Sequence, residues 1–120
     1  LLTEAHEWAE ACWVSDYRRL LAQPESAERS HWPKVSIHVP VHDEPPDMVC
    51  ETLDALARLD YPDYEVLVVD NNTRDESTWR PVEAHCARLG ARFRFIHVEG
   101  LHGYKAGALN LALRETARDA

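Results

Sequence analysis

Glu65-Val66-Leu67-Val68-Val69-Asp70-Asn71-Asn72-Thr73 is the stretch on which the fold turns. Val66 to Val69 is unbroken apolar sequence, mostly β-branched. A strand with one wet face would alternate with polar residues, so this one reads as buried on both faces, as strands of parallel sheets are. Asp70 to Thr73 then breaks it with residues that favour turns.

Working outward, the same texture recurs on both sides. Upstream, Val35-Ser36-Ile37-His38-Val39 is a short β-branched run that Pro40 is expected to stop. Downstream, Phe93 to Val98 reads as a third strand. Between and after these runs lie helical patterns. Val49, Leu53, Leu56 and Ala57 share one face of a helix expected over 47–59. A second is expected over 79–89, closed by Gly90, and a third over 106–118. Strand and helix thus alternate three times, which predicts an α/β fold with parallel strands and crossover helices. Residues 1–22 have helix-favouring composition with Thr3 as a candidate cap, and Gln23 to Lys34 reads as an irregular connector.

Composition agrees and excludes several classes. With 120 residues, 45% hydrophobic and 28% charged, the chain has the make-up of one ordinary globular domain. Its 13 Lys+Arg against 21 Asp+Glu leave a net charge of -8, which disfavours wrapping by nucleic acid. Nothing approaches the run of about 18 apolar residues that a membrane helix requires. Cys12, Cys50 and Cys86 are odd in number and far apart, and read as reduced, mostly packed thiols in a cytosolic setting.

In open parallel sheets ligands bind beyond the carboxyl ends of the strands, which marks three places to inspect. His42, Asp43 and Glu44 follow the first strand, Asp70 to Thr73 the second, and His102, Gly103, Tyr104, Lys105 and Gly107 the third. Acceptors at two ends and a cation beside a glycine-flanked helix start at the third suit a nucleotide. Carboxylates and amides take the base N–H and ribose hydroxyls, while Lys105 and free helical N–H groups meet a diphosphate. Plainer readings stay open on the residues alone. Asp70 also fits a turn or cap, Glu44 a solvated loop carboxylate, Lys105 a surface lysine, and Gly103 and Gly107 turn and packing glycines. His38 reads as a satisfied core histidine, and no histidine pair has the spacing of a helical zinc site. The dinucleotide fingerprint, the P-loop and the hydrolase nucleophile elbow are absent.

Taken in order, Val35 to Glu44, Thr52-Leu53, Leu59-Asp60-Tyr61-Pro62, Glu65 to Thr73, Trp79-Arg80-Pro81 and Gly103 to Asn110 resemble family-2 glycosyltransferases of the GT-A fold. The likeness is to the bacterial membrane-bound branch of cellulose synthase-like and β-glucan synthases, over about residues 33 to 118. It implies a three-layer, Rossmann-like half of a GT-A domain over 33–120, with 1–32 as an N-terminal helix and connector, juxtamembrane if Leu1-Leu2 ends a membrane helix. It implies the nucleotide-sugar-binding portion of an inverting enzyme that transfers a hexose, glucose from UDP-glucose, to a growing polysaccharide or other acceptor. Pro40, His42 and Glu44 match the loop that holds base and ribose, Asp70 the aspartate that takes the uracil N–H, and Lys105 the basic residue near the diphosphate, with Asn72 beside them as a further donor-binding residue. The family usually has an aromatic residue and Asn where His42 and Asp43 stand.

The resemblance also implies what lies elsewhere. The D-x-D for a divalent metal (Mg2+ or Mn2+), the catalytic base and the acceptor motifs follow later in the family. No catalytic or metal residue is therefore expected within this chain, and the chain alone is expected to be inactive. The implied partners are a UDP-sugar and the C-terminal half of the catalytic domain, with self-association of the isolated segment through its sheet edge. The implied location is the cytoplasmic side of the bacterial inner membrane, with attachment through segments outside this chain. The rival readings are a non-catalytic nucleotide-binding or regulatory module and a purely structural α/β domain.

Overall fold

The computed structural model describes residues 2–13, 31–117 and 119–120. The chain divides into two units, residues 1–30 and 31–120. In the first, α1 spans Leu2–Trp13 with Glu4 in its first turn, where an acidic side chain meets the positive end of the helix dipole. The helix already includes Thr3, so Thr3 is not its N-cap. The expected continuation to residue 22 and the connector up to residue 30 lie outside the described residues.

The second unit carries β1 (Val35–Val41), α2 (Pro46–Ala57), β2 (Tyr64–Asn71), α3 (Glu76–Leu89), β3 (Phe93–Val98) and α4 (Tyr104–Glu115). The strands form one sheet in the order β1-β2-β3, and both pairings are parallel. Pro40 does not end β1 as expected. It pairs in register with Val69 and the strand runs on to Val41. β1 is an edge strand with no ladder on its outer side, so a residue without an N–H is tolerated there.

β2 is central, and every residue of it is buried. Its alternating side chains feed two separate layers. Val66 and Val68 pack with Val49 and Leu53 of α2 and Val82 and Cys86 of α3. Val69 packs on the opposite face with Ala108 and Ala112 of α4. The result is a three-layer α/β unit with two helices on one face of the sheet and one on the other.

Local chemistry explains the helix ends. Pro46 opens α2, where the missing N–H would have had no helical partner. α3 begins at Glu76 rather than 79 because Asp75 caps it, accepting from the Ser77 N–H at 2.9 Å. Gly90 closes α3 at φ 101°, a left-handed conformation open to glycine. α4 begins at Tyr104 rather than 106, and its far end is tied to the sheet. His38 Nε2 lies 2.8 Å from Thr116 Oγ1, and the buried Glu65 carboxylate accepts from the Ala117 N–H at 2.8 Å. His38 is thus partnered, but half-buried rather than deep in the core. The three cysteines are free thiols, with Cys86 buried, Cys50 half-buried and Cys12 exposed rather than packed.

Candidate functional site: a cavity at the carboxyl ends of the strands

Parallel pairing brings the loops after all three strands to one edge of the sheet. There they enclose a cavity of about 350 Å³. The β1–α2 loop supplies Pro40, His42 and Glu44, the end of β2 supplies Asn71 and Asn72, and the start of α4 supplies Tyr104, Lys105 and Ala108. Five of the six expected donor-binding residues (Pro40, His42, Glu44, Asn72 and Lys105) therefore line one cavity.

The loops are held by their own polar groups. His42 Nδ1 donates to the Asn71 carbonyl at 2.5 Å, which ties the first loop to the second. The His42 N–H donates to the Glu44 carboxylate. Asn72 Nδ2 donates to the Leu101 carbonyl at 2.9 Å, while Asn72 Oδ1 accepts from the Leu101 N–H at 3.2 Å. Asn72 thereby engages both backbone groups of one residue in the third loop. Asn71 Nδ2 donates to the Tyr104 carbonyl at 3.0 Å and fixes the first turn of α4. The two asparagines thus spend much of their hydrogen-bonding capacity on building the cavity.

Backbone strain gathers at the same place. The non-glycine residues with positive φ among those described are Asp43 (62°), Asn72 (65°) and Tyr104 (50°), one in each of the three loops. Such conformations cost on the order of 1–3 kcal/mol each and persist where surrounding contacts over-determine them, as at ligand clamps. Gly107 answers a different need. A Cβ there would fall 2.1 Å from the His102 carbonyl oxygen, so the helix start sits against the loop only because this position has no side chain.

Asp70 is placed differently from the other expected residues. It follows Val66 and Val68 on the α2–α3 side of β2, is 2% exposed, and does not line the cavity. Thr73 Oγ1 donates to its Oδ1 at 2.5 Å and His97 Nδ1 donates to its Oδ2 at 2.6 Å. It lines a second, narrow crevice of about 10 Å³ that shares Val41 and Glu44 with the cavity. Sequence reasoning passed over Thr73, His97 and Trp79 as site residues. His97 is the register partner of Asp70, which only the parallel pairing reveals. Among the described residues no group of three His, Cys, Asp or Glu is set to hold a metal ion, so the residues present do not form a metal centre.

The sequence profile of glycosyl transferase family 2 matches residues 36–120. The chain is 30% identical over 98 residues to the UDP-forming cellulose synthase catalytic subunit of Xanthomonas axonopodis pv. citri (strain 306), covering 80% of this chain and 12% of that protein. Its fold matches that of a mannosyltransferase, PcManGT of Pyrobaculum calidifontis, solved in complex with GDP-Man and Mn2+, with a TM-score of 0.63 and 28% identity. That match covers 95% of this chain and 32% of the mannosyltransferase chain. The chain belongs to glycosyl transferase family 2 and has the α/β arrangement of its solved relative. It spans a minor part of the length of the relatives it matches. No described helix is long and apolar enough to cross a membrane.

Proposed function

We propose that residues 33–120 are the nucleotide-sugar-binding portion of an inverting hexosyltransferase whose donor is UDP-glucose and whose acceptor is a growing polysaccharide. The observation that carries this is the convergence of Pro40, His42, Glu44, Asn72 and Lys105, drawn from three separate loops, on one cavity at the carboxyl edge of a parallel sheet. The name of the UDP-forming cellulose synthase supports the uridine nucleotide and the polysaccharide. The mannosyltransferase solved with GDP-Man supports a nucleotide sugar in general.

In this reading the nucleoside lies against His42 and Glu44, and the diphosphate faces Lys105 and the N–H groups that open α4. Asp70 accepts from the uracil N–H by way of the crevice behind Glu44. Two donors already hold its carboxylate, and a carboxylate has about four acceptor sites, so capacity remains. Because the crevice is only about 10 Å³, the Asp43–Glu44 turn moves outward when the base engages. A base that deprotonates the acceptor hydroxyl, and the ligands of any divalent metal, lie outside the described residues in this proposal. So do the segments that attach the protein to the cytoplasmic face of a membrane.

The test is made on the full-length protein. Isothermal titration is expected to show UDP binding more tightly than CDP, since cytosine has no N–H at the ring position Asp70 would read. Asp70→Asn is expected to weaken UDP binding by about 1.5–3 kcal/mol and to erase most of that preference. Labelled UDP-glucose is expected to be incorporated into polymer where GDP-mannose is not. Transfer from GDP-mannose alone would overturn the assignment of the donor.

A further inference from the structure

Buried carboxylates are costly unless donors satisfy them, and the donors also fix where the remaining lone pairs point. Asp70 has two such donors from different parts of the fold. Thr73 gives its hydroxyl hydrogen to Oδ1 and accepts the Asp43 N–H at 2.9 Å, so the carboxylate is linked to the turn that carries Glu44. His97 reaches Oδ2 at 2.6 Å from β3. A carboxylate only accepts, so the hydrogen of this bond sits on His97 Nδ1. The imidazole is itself held. The Trp79 ring of α3 stacks on it with 4.3 Å between centroids at 16°, and Phe95 stacks on the same Trp79 at 6.2 Å. His97 Nε2 stands 3.8 Å from Glu99 Oε1.

The geometry points to His97 as a positioning residue of the donor site, one that holds the Asp70 carboxylate in the attitude from which it reads the nucleobase. This deepens the proposed function and rests on the role given there to Asp70. His97 touches no ligand. It acts by donating Nδ1–H to Oδ2, so that the carboxylate cannot rotate away from the crevice it shares with Glu44. The hydrogen bond and the aromatic stack are separate properties of the one side chain, and two substitutions part them. His97→Phe keeps a ring under Trp79 and removes the donor. His97→Asn removes the ring and keeps an N–H at the place of Nδ1.

The experiment titrates UDP and CDP into the full-length protein and its His97→Phe, His97→Asn and Asp70→Asn variants, with folding checked by thermal melting. His97→Phe is expected to lower the preference for UDP over CDP roughly tenfold, the low end for a hydrogen bond to a charged group. His97→Asn is expected to retain most of the preference although it melts earlier. If His97→Phe does not fold, His97→Ala takes its place, with His97→Asn again expected to restore selectivity relative to it. A purely structural His97 would give the reverse order, with Phe harmless and Asn harmful, and that result overturns the proposal. Loss of preference in Asp70→Asn with none in His97→Phe overturns the role of His97 and leaves that of Asp70 standing. An unchanged preference in a folded Asp70→Asn overturns both.

Discussion

The two faces of this sheet are covered in different ways. On one, α2 and α3 together lay Val49, Leu53, Val82 and Cys86 over Val66 and Val68, with Tyr64 and Phe93 closing the layer. On the other, α4 alone covers Val69 with Ala108 and Ala112, and Ile96, Leu101 and Leu111 are only half-buried. Small side chains let α4 lie close to β2 but bury little apolar surface, and burial at about 25 cal/mol per Å² is what stabilises a layer. The thick layer is therefore the source of stability. The thin one leaves room at its upper end, and the cavity is found there, with Ala108 belonging both to the packed cluster and to the cavity wall. Binding capacity and stability are divided between the faces by the size of the helical side chains.

The sharpest way to break this comparison is to truncate a residue in each layer. Leu53 is fully buried, and Leu53→Ala is expected to cost about 2–5 kcal/mol. Leu111→Ala, half-buried under the single helix, is expected to cost less than the low end of that range. Urea midpoints of the two variants measure both, and equal losses would erase the distinction between thick and thin layers. Next in size is Gly107→Ala. Its Cβ would press on the His102 carbonyl oxygen, and overpacking of this kind costs about 1–3 kcal/mol. The helix start must shift away from the loop, so UDP affinity is expected to fall by more than the melting shift accounts for. A variant that melts earlier but binds UDP as before would show that the thin face does not set the cavity.

A smaller effect is expected at the rim. Lys105→Ala leaves both layers intact, since the side chain is exposed. It is expected to weaken UDP by about 1 kcal/mol, toward the low end for hydrogen bonds to charged groups, and to leave uridine binding unchanged. Titration with the nucleoside and the diphosphate separates a phosphate contact from a general disturbance of the site. The smallest effect near neutral pH comes from Cys86. Burial in the thick layer pushes its thiol up to about 11 from an ordinary value of 9.0. The neutral thiol is the buried form, so below pH 9 its contribution is fully present. Between about 9 and 11 the unfolded chain ionises first and the folded state loses ground. Denaturation midpoints are expected to fall across that window in the native protein and to fall less in Cys86→Ala. Alkylation at pH 8 is expected to reach exposed Cys12 well before Cys86.

Much of the fold was legible in local sequence. The unbroken Val66–Val69 run marks a central buried strand whatever lies around it, because only a strand covered on both faces has no use for polar residues. The rule that ligands gather beyond the carboxyl ends of parallel strands then located His42, Glu44, Asn72 and Lys105 before any contact was known. Helix starts were legible less well. Asp75 and Ser77 form a cap that places the start of α3 at Glu76, whereas apolar periodicity begins only further along. Pro40 misled for the opposite reason, since its meaning depends on whether the strand lies at an edge.

Sequence alone settled the strand–helix alternation, the parallel sheet and the three loops that build the cavity, because periods of two and of about 3.6 residues are properties of the local chain. Tertiary structure decided on which side of the sheet each strand-end residue falls. Asp70 and Asn71 are neighbours in the chain, yet Asn71 opens on the cavity while Asp70 turns to Thr73 and His97 on the other face. No local pattern announces that His97 will stand beside Asp70. The pairing exists because β3 adds to β2 in parallel with Asp70 and His97 in register, and that register is settled by the packing of α3 and α4 against opposite faces of the sheet.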